Sequence, residues 1–153
     1  MAGSFRTFIV RIILEDAIAF EEHSYRFYES ALEKAVSGES RDIIGQLMRD
    51  EFRHRIKLEE VRKKGDLGRL DVPEGKDSSY IEAVSCSWPE IPAHAGTEEI
   101  LEMALEREQC SYNFYASMEK HTRLKPARGT FSVLKGEEER HVHLIRDRME
   151  KGT

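Results

Sequence analysis

Apolar residues recur along four segments of the chain at alternating spacings of three and four, which is the pattern of helices that bury one face. The first segment runs from about residue 10 to 35 and is broken at Gly38, and the second runs from Ser40, a candidate N-cap, to 64. The third begins after Thr97, another candidate N-cap, and continues to about 120. The fourth starts near Pro126 and ends at about 151. We therefore expect four helices.

The connections between these segments predict how the helices are arranged. Short connections follow the first and third segments, whereas residues 65–96 form one long connection that holds three of the four prolines. This order predicts an all-α, ferritin-like four-helix bundle made of two helical hairpins, 10–64 and 97–151, which the 65–96 crossover joins. We expect a short helical turn at 78–84. The length fits a single domain, 1–153.

The two hairpins repeat one another in sequence. Residues 12–28 and 99–115 are identical at nine of 17 positions when they are aligned at an offset of 87 residues. The same offset places "LMRDEFRH" (47–54) on "LKGEEERH" (134–141), so that two Glu-x-x-His pairs occur in register. Residues i and i+3 share a helix face, and no other histidine in the chain has a glutamate three residues before it. The repeat therefore indicates a metal site rather than a chance match.

A glutamate interrupts the apolar stripe of every predicted helix at a position that should be buried. Small residues flank Glu21 and Glu108, which leaves room at the centre of the bundle. The four stripes are Val10, Leu14, Ala17, Glu21, Ser24, Tyr28, Ala31 and Ala35; Leu47, Glu51, His54, Leu58 and Val61; Leu101, Ala104, Glu108, Ser111, Tyr115 and Met118; and Leu134, Glu138, His141 and Ile145.

Four ionised carboxylates in one core would each lose several kcal/mol of hydration and would also repel one another. Lysine and arginine are absent from the stripe positions, so we expect no protein cation to offset this charge. Two divalent metal ions would balance it, with two imidazoles as neutral donors. Oxygen-rich ligation with one imidazole per ion suits iron or manganese. The candidate metal ligands are therefore Glu21, Glu51, His54, Glu108, Glu138 and His141.

This constellation has one glutamate from each of two helices and a Glu-x-x-His pair from each of the other two. With this arrangement of ligands, the chain resembles the rubrerythrin-like members of the ferritin-like di-iron carboxylate family. The resemblance covers roughly residues 10–63 and 97–150. It implies two iron ions, with manganese or a mixed manganese–iron pair as alternatives. Glu51 and Glu138 would bridge or chelate the ions beside the histidines, and Glu21 and Glu108 would complete each ion's ligand shell.

The chain also departs from the family pattern. Rubrerythrin proper carries a four-cysteine rubredoxin domain, whereas this chain has only Cys86 and Cys110, so we expect a separate, rubredoxin-like electron donor. Ser111 stands where rubrerythrin has an additional carboxylate. Bacterioferritin has a fifth helix, whereas this chain ends three residues after Glu150, which disfavours an iron-storage shell.

The resemblance implies a homodimeric redox enzyme that reduces peroxide or dioxygen at a carboxylate-bridged di-metal centre. Two other functions remain open. The protein could oxidise and sequester Fe(II) in iron storage or detoxification, or its metals could only hold the helices together. The fold does not choose among these functions.

Residues beside the candidate ligands have less distinctive patterns. Tyr28 and Tyr115 each lie seven residues after a candidate ligand, about 20° away around the helix, and each ring should lean over the glutamate of its own helix. They are candidates either for a hydrogen bond to a ligand or for ordinary buried tyrosines. Glu137 and Glu139 are expected on the solvated face. Cys110 is expected to be a packing or surface thiol.

Charge and cysteine content exclude several classes of partner. The net charge is −5 and no cluster of lysine and arginine occurs, which disfavours nucleic acid. The apolar run at 8–14 is broken by Arg11 and is too short to span a membrane. The two cysteines form no CxxC motif and cannot support a disulfide framework, so we expect a cytoplasmic protein.

Overall fold

The computed structural model describes residues 2–34, 36, 38–64, 88–122 and 125–152, with side chains from Ile13 onward. These residues form four α-helices: α1 (Ala2–Glu33), α2 (Gly38–Lys64), α3 (Thr97–His121) and α4 (Lys125–Glu150). Helix α1 packs along α2, α3 packs along α4, and α2 also contacts α4. The described residues contain no strand. The prediction of an all-α, ferritin-like four-helix bundle is confirmed.

The predicted helix ends were less accurate than the helices themselves. Helix α1 begins at Ala2 rather than near residue 10. Gly38 starts α2 with a φ of 58°, a left-handed conformation that glycine adopts without a Cβ clash, so Ser40 lies inside the helix and is not its N-cap. The N-cap of α3 is Gly96, so Thr97 is its first helical residue. The helical turn expected at 78–84 lies outside the described residues.

The predicted stripes do form the buried face of each helix. Every stripe residue whose side chain is described is buried, including the polar ones. Val10 and Ala35 are the two stripe residues whose side chains lie outside the described set. Helical periodicity therefore located the interior of the bundle correctly on all four helices.

The apolar part of the core consists of two clusters that the sequence repeat relates. Leu14 and Leu134 belong to one cluster, and their repeat partners Leu101 and Leu47 belong to the other. On every helix the candidate ligands lie between a segment in the first cluster and a segment in the second. The bundle therefore has approximate two-fold symmetry, with a polar centre between two apolar ends.

The structure bears on two further expectations, one about membrane-spanning helices and one about the cysteines. Among the described residues, no helix combines the length and the apolar character needed to cross a membrane. Cys110 is buried and disulfide-bonded rather than free. The expectation that it is a thiol is therefore wrong. Cys86 lies outside the described residues.

Candidate metal centre

The six predicted ligand residues come together between the two apolar clusters, and none is more than 4% exposed. They form two groups of four, within each of which one candidate ligand atom per residue lies within 4.8 Å of the others. The groups are Glu21, Glu51, His54 and Glu138, and Glu51, Glu108, Glu138 and His141. Glu51 and Glu138 belong to both groups, so the structure places these two carboxylates between two candidate metal positions.

Each group depends on both hairpins. The first hairpin supplies three members of the first group, and Glu138 from α4 completes it. The second hairpin supplies three members of the other group, and Glu51 from α2 completes that one. Neither hairpin therefore contains a complete group by itself.

The two histidines direct the same ring nitrogen toward the cluster. His54 Nδ1 lies 2.9 Å from Glu138 Oε1, and His141 Nδ1 lies 3.0 Å from Glu108 Oε2. The two rings are nearly parallel, with centroids 5.6 Å apart. Since Nδ1 of each ring faces the carboxylates, Nδ1 is the nitrogen that could bind a metal.

The opposite nitrogen of each histidine contacts a carboxylate on the outer side of the cluster. His54 Nε2 lies 2.8 Å from Glu137 Oε2, and His141 Nε2 lies 3.2 Å from Asp50 Oδ2. Such an outer carboxylate fixes the tautomer and the orientation of a metal-binding imidazole. Glu137 also binds Lys57 Nζ at 2.9 Å. The expectation that Glu137 is merely solvated is therefore wrong.

A sequence signal for these outer carboxylates did exist. Asp50 and Glu137 are themselves related by the 87-residue offset, and each directly precedes one of the shared glutamates. The signal was missed because each carboxylate contacts the histidine of the other hairpin, which no periodicity within one helix can show.

The two tyrosines are fully buried, and each donates a hydrogen bond to a candidate ligand. Their partners are crossed, because Tyr28 of α1 donates to Glu108 of α3 and Tyr115 of α3 donates to Glu21 of α1. The expected lean of each ring toward the carboxylates is correct. Of the two roles left open, the hydrogen bond to a ligand is the one observed, and its acceptor is the glutamate of the neighbouring helix rather than the glutamate toward whose turn the ring was expected to lean.

Burial and mutual repulsion dominate the carboxylate electrostatics. Burial, followed by the charges of Glu21 and Glu108, raises the pKa of Glu51 well above its ordinary value. Burial and the Glu138 carboxylate raise the pKa of Glu108 to about 8. Burial acts in the same direction on Glu138, but the adjacent His54 and His141 outweigh it and hold the pKa of Glu138 well below its ordinary value.

The histidines and tyrosines hold their protons in this environment. Burial alone would lower the pKa of both imidazoles, but the adjacent Glu108 and Glu138 carboxylates raise the pKa of His141 to about 10. The Glu138 charge together with Glu137 raises the pKa of His54. Burial raises the pKa of Tyr28 and of Tyr115, so both remain hydrogen-bond donors at neutral pH.

Unpartnered oxygens show that the donor set fits metal ions. Glu21 Oε2, Glu51 Oε1 and both carboxylate oxygens of Glu138 are buried without a well-aligned hydrogen-bond partner among the described residues. Leaving such oxygens unsatisfied is costly. Divalent cations would satisfy them, and carboxylates with one imidazole per ion match the preferences of iron and manganese.

Comparison with known families agrees with this geometry. The profile of the rubrerythrin family matches residues 13–149, which include both hairpins and all six candidate ligands. The chain belongs to the rubrerythrin family. Comparisons with curated proteins and with solved structures gave no match.

The structure also contains a buried cation that the sequence did not reveal. Arg107 is 6% exposed, and its guanidinium carbon lies 4.3 Å from the ring centre of Phe27 and 4.8 Å from that of Trp88. Burial lowers the pKa of Arg107. The expectation that no protein cation accompanies the carboxylates needs this correction, although one positive charge cannot balance four carboxylates. No signal marked Arg107 because it lies off the α3 stripe.

The pKa directions predict how the stability of the metal-free protein depends on pH. Glu51, Glu108, His54 and His141 have folded-state pKa values above their ordinary values, so their contributions to stability are present at low pH. These contributions are lost as the pH rises through about 8 for Glu108 and about 10 for His141. Glu137 and Glu138 behave oppositely, and their contributions are lost as the pH falls from 4.5 toward 2. We expect the highest apo melting temperature near pH 5.

Differential scanning calorimetry between pH 3 and pH 9, with and without bound metal, measures this dependence. The metal-loaded protein should melt above the apo form at pH 7, and the difference should shrink toward pH 5 because protons compete with metal for the ligands. Equal apo and holo melting temperatures at pH 7 would contradict a buried metal centre.

The crossed hydrogen bonds predict the effect of removing either phenol. Tyr28→Phe removes the phenol hydrogen bond to Glu108, and Tyr115→Phe removes the one to Glu21. Because a hydrogen bond to a charged group contributes about 1.5–3 kcal/mol, each substitution should lower the free energy of unfolding of the metal-loaded protein by roughly that amount in a urea titration. Tyr25→Phe and Tyr112→Phe, repeat-related and only partly buried, are the matched controls. A Tyr28→Phe effect no larger than that of Tyr25→Phe would refute the role of this contact.

Proposed function

We propose that this protein is a di-metal oxidoreductase that reduces hydrogen peroxide. The observation that supports the proposal most directly is the sharing of Glu51 and Glu138 by two overlapping groups of four buried residues. Two shared carboxylates between two candidate positions are what a pair of adjacent ions requires. Membership of the rubrerythrin family supports the same reading.

The reaction consumes one peroxide, two electrons and two protons and yields two water molecules. A pair of reduced iron ions, or manganese in place of one or both, would supply the two electrons that break the O–O bond. A separate one-electron donor, such as a rubredoxin-like protein, would restore them. Both the metal and the donor are part of the proposal.

The chain's own residues would hold this centre in place. Asp50 and Glu137 keep Nδ1 of each imidazole directed at the metal position. Tyr28 and Tyr115 keep two carboxylates from rotating. The apolar clusters at both ends exclude water, which strengthens every charge interaction between them.

The remaining sequence-based expectations stay predictions. They are a homodimeric assembly, a cytoplasmic location, the absence of nucleic-acid and membrane partners, and a single domain over 1–153. The alternative of Fe(II) oxidation for iron storage or detoxification would instead be favoured by shell-sized oligomers that retain a mineral core.

Anaerobic reconstitution with Fe(II), followed by stopped-flow absorbance, tests the proposed reaction. We expect hydrogen peroxide to oxidise the centre faster than dioxygen does at equal concentrations. Glu51→Ala and Glu138→Ala should each lower metal occupancy and abolish peroxide-driven oxidation, because each removes an oxygen donor from both groups.

Glu139→Ala is the matched control, because Glu139 is exposed and lies one residue from Glu138. It should leave metal content and rate nearly unchanged. Glu137 cannot serve as a control, since it contacts His54. Faster oxidation by dioxygen than by peroxide would contradict peroxide as the preferred oxidant.

The two overlapping groups also predict stoichiometry. Elemental analysis after reconstitution and removal of free metal should reach two ions per chain. His54→Ala and His141→Ala should each lower the plateau toward one ion, whereas His143→Ala, at an exposed position on α4, should not. A plateau at one ion or none in the unsubstituted protein would rule out a di-metal centre.

A further inference from the structure

A cavity of about 230 Å³ lies between α1 and α3 beside the candidate metal centre. Its rim includes exposed Ala19, and its walls include the rings of Phe20, Trp88 and Phe114. Phe20 and Trp88 contact each other edge to face, with ring centres 4.7 Å apart. The cavity is therefore open to solvent on one side and lined mainly by apolar side chains.

Two buried lining residues connect the cavity to the metal centre. Ala17 lies four residues before Glu21, and Ser111 lies three residues after Glu108, so each shares a helix face with a candidate ligand. At a rise of about 1.5 Å per residue, these spacings correspond to roughly 6 Å and 4.5 Å along the helix axis. A molecule in the cavity would thus lie within about one helical turn of two of the six residues.

Ser111 provides the buried polar group of this mainly apolar cavity, whose other polar lining residues, Asp16 and His23, are exposed. Ser111 is 2% exposed, and its Oγ has no hydrogen-bond partner among the described residues. A buried hydroxyl without a partner is destabilising, and a hydrogen-bonding group on a bound molecule would remove that cost. The cavity thus combines apolar walls with one unsatisfied hydroxyl.

The residues that line the cavity can be compared with their repeat partners in the other hairpin. The repeat partners of Phe20 and Phe114 are Arg107 and Phe27, and the Arg107 guanidinium carbon lies 4.3 Å from the Phe27 ring centre. The repeat-related aromatic ring is therefore covered by a buried guanidinium, whereas Phe114 lines open space. The two otherwise similar halves differ where a ligand would enter.

We propose that this cavity binds the organic part of an alkyl or aryl hydroperoxide, with Ser111 Oγ hydrogen-bonded to its peroxide oxygens. One water molecule needs only about 10–15 Å³ of such space, so the cavity is much larger than hydrogen peroxide requires. Aromatic walls favour an apolar body, and the lone hydroxyl favours one polar group at its end. This inference rests on the proposed peroxide reduction and extends it to a substrate class.

The reaction would differ from that of hydrogen peroxide only in one product. An organic hydroperoxide with two electrons and two protons gives one alcohol and one water, and the O–O bond is the bond that breaks. The same reduced metal pair and the same one-electron donor protein would supply the electrons. The product alcohol keeps the apolar body and the hydroxyl but lacks the O–O bond, so it is an unreactive probe of the cavity.

Trp88 allows binding to be measured without turnover, because it is the single tryptophan of the chain and lines the cavity. Cumyl alcohol, the product of cumene hydroperoxide, should change the Trp88 fluorescence of the metal-loaded protein in a saturable manner. Ser111→Ala should weaken this binding roughly threefold to tenfold, the effect of one hydrogen bond. No saturable change in fluorescence would overturn the proposal.

Two matched controls locate the bound probe. Ser24→Ala changes the repeat-related serine, which is buried but does not line the cavity, and should leave the affinity unchanged. Ala19→Phe should fill the entrance and abolish binding, whereas Ala19→Ser should preserve it. Because Ala19 is exposed, both variants should fold. Equal affinities for Ala19→Phe and Ala19→Ser would mean that the probe binds elsewhere and would overturn the proposal.

Turnover separates this inference from the function on which it rests. In the iron-loaded protein, Ala19→Phe should lower kcat/KM for cumene hydroperoxide at least tenfold while leaving that for hydrogen peroxide within about twofold. Loss of both activities to the same extent would overturn the cavity as a selective site. If the unsubstituted protein reduced neither peroxide while cumyl alcohol still bound with the expected variant dependence, the proposed function would be wrong and the cavity would stand as an organic-ligand site.

Discussion

The burial of four carboxylates and two imidazoles at the centre of a helical bundle is the constraint on which the rest of this structure depends. Each of these groups would be several kcal/mol more stable in water, so the fold is tolerable only where cations, protons or hydrogen bonds compensate them. The surroundings follow from this requirement. Small residues leave space beside Glu21 and Glu108, and two apolar clusters stabilise the bundle on either side of its polar centre. In the metal-free state, protons held by Glu108 and His141 partly replace the missing cations.

Because the two hairpins are repeats of one another, they contribute equivalent residues to the centre. Each hairpin supplies three members of one group, and the other hairpin supplies the fourth. A carboxylate of the other hairpin contacts the outer nitrogen of each histidine. A tyrosine of the other hairpin donates a hydrogen bond to Glu21 or Glu108. The contacts that define the centre are thus largely contacts between hairpins. The symmetry is incomplete where Phe20 in one hairpin corresponds to Arg107 in the other: Phe20 lines a cavity, whereas Arg107 covers the Phe27 ring.

The sequence predicted the helices, their buried faces and the six residues of the centre, because helical periodicity determines which positions share a face. It did not predict partners across the bundle. The crossed tyrosines, the Glu137–His54 contact and the buried position of Arg107 all depend on which side chain of a neighbouring helix is nearest. The predicted helix starts are also wrong, since the sequence favours a serine or threonine as the N-cap where a nearby glycine begins the helix or caps it. The pattern within one helix shows which of its faces is buried, but it does not show which side chains of other helices that face contacts.

The sharing of Glu51 and Glu138 has a thermodynamic consequence for how the centre fills. An ion that binds to one group orders two carboxylates that also belong to the other group. Binding of the second ion therefore loses less conformational entropy, because these two side chains are already ordered. The first divalent ion also offsets two of the four negative charges of the centre, which weakens the attraction for the second ion and acts in the opposite direction. Occupancy of the two positions is therefore linked. The balance between shared ordering and shared charge determines whether that linkage is positive or negative, so neither position has an affinity that is independent of its neighbour.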